Sequence, residues 1–377
     1  MFYKNARIFT SDFQFHTGAF EVRDGVFGQV LPAAVPADAI DLKGATVIPG
    51  LVDVHSHGNS GADFSDGDYE GLKKMAAFYA KCGVTSFAPA SMTLPYDVLA
   101  KAFATARQLA DEAPAGHARL MGIQMEGPYF SYKKRGAQNP DYLKEPDFEG
   151  FQALYDGCGG LVRIVDVAPE LPGALPFIRR AAQTCAVSLA HTEADYDTAA
   201  QALRQGADHI THLYNAMPPY AHRAPGVIGA AADFARYCEL IGDGVHLHPA
   251  VVRQTFSFFG GDRICLISDC MRAGGLPDGA YTLGGQAVRV ENGKATLPDG
   301  TLAGIVVSLS ECLRRVIRFG VPAEQAIRSA TLIPAQSVGL GDVTGSLRPG
   351  KRADLVVMDA GWQVRLVMIG GRIVHRA

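Results

Sequence analysis

From Leu51 to Ile267 the chain repeats one pattern eight times, an apolar run followed by a longer polar or helical stretch. No other feature constrains the fold as much. The runs fall at 51–54, 84–88, 119–125, 162–167, 186–190, 209–213, 238–241 and 264–267. Short continuous apolar runs suit parallel strands covered on both faces. Between them lie helical periods: 68–81 places Leu72, Met75, Ala76 and Tyr79 on one face. Comparable spacing occurs at 96–110, 173–185, 195–205 and 249–259, and after the eighth run at 309–319 and 322–330. Pro322 stands where a helix start favours proline. The expected class is α/β, and eight strand-then-helix units close a (β/α)8 barrel of the TIM type. An open doubly wound sheet competes but seldom uses so many consecutive units.

Both ends read differently. Residues 2–9, 19–23, 26–30 and 45–48 are strand-like, and Asp24-Gly25 between two of these runs is a hairpin signal. Residues 354–359, 363–369 and 372–374 are again β-rich. The expected organisation is a small discontinuous β-sandwich domain from 1–48 and 344–377 around a barrel at 49–343.

The charge balance, 35 basic against 38 acidic residues for a net −3, offers no footprint for nucleic acid or an anionic membrane. The longest apolar runs, such as 302–309, fall far short of the roughly 18 to 20 residues of a spanning helix. The first twenty residues carry Lys4, Arg7 and Asp12 without an apolar segment, so no secretory signal is expected. Seven cysteines without a C-x-x-C pair suit free thiols in a reducing cytoplasm.

In a barrel of this kind, chemistry collects at the C-terminal ends of the strands. Strand one ends in Asp53-Val54-His55-Ser56-His57, strand three in Met125-Glu126, strand five in Ala190-His191, strand six in Thr211-His212 and strand eight in Ser268-Asp269. One His at a strand end is more often a hydrogen-bonded rim residue, and one Asp or Glu a cap or ion-pair partner. Five coinciding at one rim point instead to a divalent metal site, since imidazole and carboxylate are the ligand set of zinc or iron(II). His209 is a control: three residues before His212, it should face the other side of a regular strand.

The string 48–58, Ile-Pro-Gly-Leu-Val-Asp-Val-His-Ser-His-Gly, resembles the opening of the amidohydrolase superfamily, and 345–355, Gly-Ser-Leu-Arg-Pro-Gly-Lys-Arg-Ala-Asp-Leu, resembles its closing segment. More narrowly, Glu126-Gly127-Pro128, Ala190-His191-Thr192, the Thr-His-Leu-Tyr-Asn-Ala-Met string at 211–217 and Asp243-Gly244-Val245-His246 resemble the N-acetylglucosamine-6-phosphate deacetylases.

The resemblance implies a metal-dependent barrel with a split β-sandwich, cytoplasmic and dimeric, that removes an acetyl group from a 6-phosphorylated amino sugar. It implies that Glu126, His191 and His212 bind the principal metal, zinc being expected and iron the alternative. Asp269 would be general base and acid, and His246 would contact the substrate near its carbonyl. Asn215 and the backbone of Ala216 would hold the phosphate, which Arg223 would reach from the neighbouring subunit. A guanidinium fork suits a phosphate; read alone, Arg223 is a surface loop arginine. His55 and His57, absent from some relatives, leave one metal or two open, with Glu126 bridging in the second case. Gln138 stands where some relatives carry a histidine near the sugar and can still donate and accept one hydrogen bond each.

Three alternatives stand beside this reading. A galactosamine-specific deacetylase differs only at the sugar's 4-hydroxyl. A cyclic amidase would often carry a carboxylated lysine at the end of strand four, whereas 162–170 contains none. A barrel reduced to an interaction scaffold should have lost the ligand set or the acid.

Overall fold

All eight apolar runs form parallel strands in the structure, a computed structural model that describes residues 1–377. One sheet orders Arg119–Leu120, Val84–Phe87 and Leu51–Asp53; a second runs in chain order from Ile123–Met125 through Val162–Val167, Ala186–Leu189, His209–Ile210 and Tyr237–Ile241 to Ile264–Ile267. The third run is thus split around Gly122 between the two sheets. Every residue of Leu51–Asp53, Val84–Phe87 and Ile264–Ile267 is buried, which explains why the runs are continuously apolar rather than alternating. The two sheets meet at both margins. Ala90 bridges Gln124 in parallel on one side. On the other, the Asp269 N–H donates to the His55 carbonyl at 2.9 Å and the His57 N–H to that of Cys270 at 2.8 Å.

Helices follow the expected periods. Tyr69–Lys81 buries Leu72, Met75, Ala76 and Tyr79, and Asp68 caps it by accepting from the Glu70 and Gly71 N–H groups. Tyr96–Glu112, Ala174–Ala181, Tyr196–Arg204, Pro249–Phe259, Leu309–Arg318 and Ala323–Ser329 follow. Three further helices lie outside those periods, the last of them Leu332–Ser337. Phe148–Gly157 buries Phe151 and Leu154 on one face, and Gly226–Phe234 is apolar almost all round, with Gly226 to Ala231 buried. A helix without a polar face has no stripe for sequence to display.

A three-stranded antiparallel sheet, Gly279–Leu283, Gln286–Glu291 and Lys294–Thr296, is inserted after the eighth parallel strand. Its turns are Gly284-Gly285 and Asn292-Gly293, all four with positive φ, as tight hairpins of the primed type require.

Strands from both termini interleave in one sheet. The path runs Arg372–Arg376, Val364–Ile369, Leu355–Met358, Thr46–Pro49, Phe2–Phe9, Phe15–Arg23, Val26–Val30, with Ile40–Asp41 beside Phe2–Phe9. The last edge is not left open: the Phe27 N–H donates to the Lys351 carbonyl at 2.8 Å. This sheet has its own core of 12 buried residues, including Tyr3, Phe20, Phe27 and Leu355, distinct from the 75-residue core around the parallel strands. No helix is long and apolar enough to cross a membrane.

Candidate metal centre and active site

The parallel strands end in sharp turns that aim polar side chains into one cavity. His191, His212 and Asp269 each stand two residues beyond a strand, with φ of +45°, +28° and +49°. Left-handed backbone at a residue other than glycine costs of order 1 to 3 kcal/mol and persists where surrounding structure enforces it. The cavity has a volume of about 430 Å³, and His57, Glu126, His191, His212, His246 and Asp269 line it together with Gln138, Asn215 and Ala216.

Glu126 is the centre. Its Oε1 lies 3.1 Å from His191 Nε2, 3.2 Å from His212 Nε2 and 3.6 Å from His55 Nε2, and its Oε2 lies 3.2 Å from His57 Nε2. Asp269 Oδ1 stands 3.4 Å from His57 Nε2 and 3.7 Å from His55 Nε2. Two donor groups that could hold an ion emerge, His55–His57–Glu126 and Glu126–His191–His212, sharing one carboxylate. Donors about 2.0 to 2.1 Å from one tetrahedral ion lie about 3.3 to 3.4 Å apart, so the spacing fits a zinc-sized cation. His55 Nε2 is buried without a hydrogen-bond partner, an orphan that a cation would satisfy.

Electrostatics agree. Burial opposes ionisation of Glu126, yet the surrounding imidazoles hold its carboxyl well below the usual range. Burial likewise disfavours the Asp269 anion, but His57 and His55 keep its pKa low. Burial pulls the His55 imidazole down, while Glu239 and Glu126 push it up to about 10. The set therefore asks for positive charge at its centre, which protons or a divalent ion can supply. His191 is held below the ordinary imidazole value, first by burial.

Other expected residues fall into place unequally. His246 is fixed by Asp243, whose Oδ2 lies 2.9 Å from its Nδ1 and whose Oδ1 accepts its backbone N–H. Gln138 is buried at the cavity wall: its carbonyl accepts the Thr93 N–H and its amide donates to Glu126 Oε2, both at 2.7 Å. The amide anticipated beside a sugar thus braces Glu126. Arg223 does not line this cavity; it is exposed on a separate loop. His209 stays out of the cavity while His212 lines it, though not by simple strand alternation. The strand ends at Ile210, and both residues reach Glu239, His209 through Nε2 at 3.2 Å and His212 through its backbone N–H at 3.1 Å.

Several contributors escaped the sequence reading. The basic run Lys133-Lys134-Arg135 lines the cavity, with Lys134 Nζ 3.2 Å from the Met217 carbonyl, and its position just after Glu126-Gly127-Pro128 was the available signal. Asp299, Thr301 and Leu302 form a wall following the inserted sheet. The Gly-Gly and Asn-Gly turns announce that sheet in the sequence, but nothing local says that it overhangs the site.

Parallel strands bearing His and carboxylate groups at one rim form a site that could hold a divalent ion, and the chain belongs to the amidohydrolase family, which matches residues 46–374. Members of this family generally bind a divalent metal. An N-acetylglucosamine-6-phosphate deacetylase of Bacillus subtilis is 38% identical over 90% of this chain and 85% of its own. An N-acetylgalactosamine-6-phosphate deacetylase of Escherichia coli O157:H7 is 34% identical over 97% of both. Among solved structures, a mutant N-acetyl-D-glucosamine-6-phosphate deacetylase of Mycobacterium smegmatis, in complex with N-acetyl-D-glucosamine-6-phosphate, superposes with a TM-score of 0.93 at 32% identity, covering 99% of each chain.

Proposed function

We propose that this protein hydrolyses N-acetyl-D-glucosamine 6-phosphate to D-glucosamine 6-phosphate and acetate, in the breakdown of amino sugars. The convergence of Glu126, His191 and His212 with Asp269 in one cavity carries the reading, and the deacetylases that match nearly the whole chain support it. Glu126, His191 and His212 would hold the principal ion, zinc with iron as the alternative, and His55, His57 and Glu126 would hold a second. A divalent ion in such a site polarises a carbonyl and lowers the pKa of water from 15.7 towards about 7.

Asp269, kept ionised, accepts the proton of the attacking water and delivers it to the amide nitrogen as the C–N bond breaks. Asp243 occupies one ring nitrogen of His246, leaving the other for the substrate carbonyl or a sugar hydroxyl. Asn215, the Ala216 backbone and the adjacent Lys134 ammonium take the phosphate, joined by Arg223 from the second subunit of a homodimer. Remote phosphate binding positions the acetamide. Gln138, at the cavity wall, braces Glu126 and also takes part in binding the sugar.

The same reading treats the two parallel sheets as one closed (β/α)8 barrel at 49–343 and the terminal strands as a β-sandwich domain of 1–48 and 344–377. The separate cores support that division. Seven unpaired thiols suit the cytoplasm. The galactosamine relative matches end to end, so the decisive experiment compares kcat/KM for the two 6-phosphorylated N-acetylhexosamines on protein of measured metal content. Faster acetate release from the glucosamine epimer is expected. Preference for the other epimer, or release from neither, overturns the assignment.

A further inference from the structure

Glu239, on strand Tyr237–Ile241, is fully buried and has no lysine or arginine partner. Its Oε2 lies 2.9 Å from His55 Nδ1 and accepts the His212 backbone N–H at 3.1 Å, while Oε1 lies 3.2 Å from His209 Nε2. An ionised carboxylate only accepts, so His55 carries its hydrogen on Nδ1. Nε2 is then the ring atom left for a cation, at the orphaned position facing Glu126 and Asp269.

The other rings are held differently. His191 Nδ1 rests against the Lys134 carbonyl at 2.8 Å and His57 Nδ1 against that of Ala90 at 3.2 Å. His55 alone among the donor histidines has a carboxylate behind it. Such a partner fixes the tautomer and strengthens the ligand, and its loss typically weakens metal binding about 10- to 100-fold.

We propose that Glu239 is a positioning residue that makes the second cation position, at His55, His57 and Glu126, bindable through His55 Nδ1, whereas it meets the position at Glu126, His191 and His212 only through the His212 backbone N–H. This rests on the two-ion reading above. Glu239→Gln keeps an oxygen to accept from His55 and from the His212 N–H, and its amide can donate to His209. Glu239→Met has similar bulk and no acceptor.

The test counts zinc per chain by elemental analysis and measures each affinity by chelator competition, with circular dichroism to verify folding. Two ions are expected in the wild type and in Glu239→Gln, the weaker one bound about 10- to 100-fold less tightly in the variant. One ion is expected in Glu239→Met, held at Glu126, His191 and His212, although the His212 N–H has lost its acceptor. Two ions at wild-type affinity in Glu239→Met overturn the role of Glu239 alone, whereas a single ion in the wild type overturns the two-ion reading and this inference with it. If Glu239→Met does not fold, Glu239→Gln decides: unchanged affinity for both ions overturns the proposal.

Discussion

The Nε2 atoms of His191 and His212 face each other across 3.1 Å, although the residues leave different strands. With Glu126 Oε1 at 3.1 and 3.2 Å from them, the three atoms form a nearly equilateral triangle. Two imidazole nitrogens do not converge so closely on one carboxylate oxygen unless the surrounding turns compel it, and here both residues pay for the position with left-handed backbone.

Removing one corner of that triangle should remove the principal ion. His191→Ala is expected to lose it and to lower kcat/KM on the order of a thousandfold, roughly 4 kcal/mol of barrier. Elemental analysis and acetate release check both halves. Dialysis of the wild type against a chelator should abolish activity, and added zinc should restore it.

Asp269 lies 3.4 Å and 3.7 Å from the two first-strand histidines but outside the His191–His212 group. Asp269→Asn should therefore keep the principal ion and fold while kcat falls about 10²- to 10⁴-fold. Turnover near the wild-type rate with full metal content would remove Asp269 from the mechanism.

Arg223 is exposed and apart from the cavity of its own chain. Arg223→Ala should raise KM and leave kcat nearly unchanged. On the proposed homodimer, mixing it with Asp269→Asn under conditions of verified subunit exchange should recover activity, because a mixed dimer would contain one site with an intact Asp269 and a neighbouring Arg223. An equimolar mixture no more active than its components would exclude a shared site.

Asp53 accepts hydrogen bonds from Ser268 Oγ at 2.5 Å and Ser268 N at 3.2 Å, and burial pushes its carboxyl from 3.8 up to about 6. Its folded pKa exceeds its unfolded one, so its contribution to stability is complete below the unfolded value and is lost as pH rises through about 6. For metal-free protein, Asp53→Asn should gain about 2 kcal/mol relative to wild type between pH 4.5 and pH 7.5. Denaturant unfolding at the two pH values measures this.

Much of the framework was legible. Strands buried on both faces leave unbroken apolar runs, and amphipathic helices such as Tyr69–Lys81 leave a stripe. The rim residues could be named because strand ends place them at one mouth. What stayed hidden depends on contacts distant in sequence. The bond from Glu239 to His55 spans 184 residues, and that from Gln138 to Glu126 ties a loop residue to a strand end. An isolated Glu inside an apolar strand gives no hint of which histidine it will meet. Gly226–Phe234 was hidden for the opposite reason, being too uniformly apolar to show a period.

The wall following the inserted sheet has a consequence for how such a catalyst can change its diet. The ion-holding groups sit on or just past the strands of the large core, whereas Asp299, Thr301 and Leu302 adjoin a small core of nine residues that packs the inserted sheet against Met92, Met271 and Ala273 beyond the parallel strands. The Gln286 amide reaches the Ala137 carbonyl at 2.5 Å, so this overhang also braces the basic loop opposite. The overhang and the ion-holding groups thus pack on different cores yet meet through the basic loop, so a replacement of the inserted sheet would reach the Lys134 carbonyl behind His191 as well as the cavity wall.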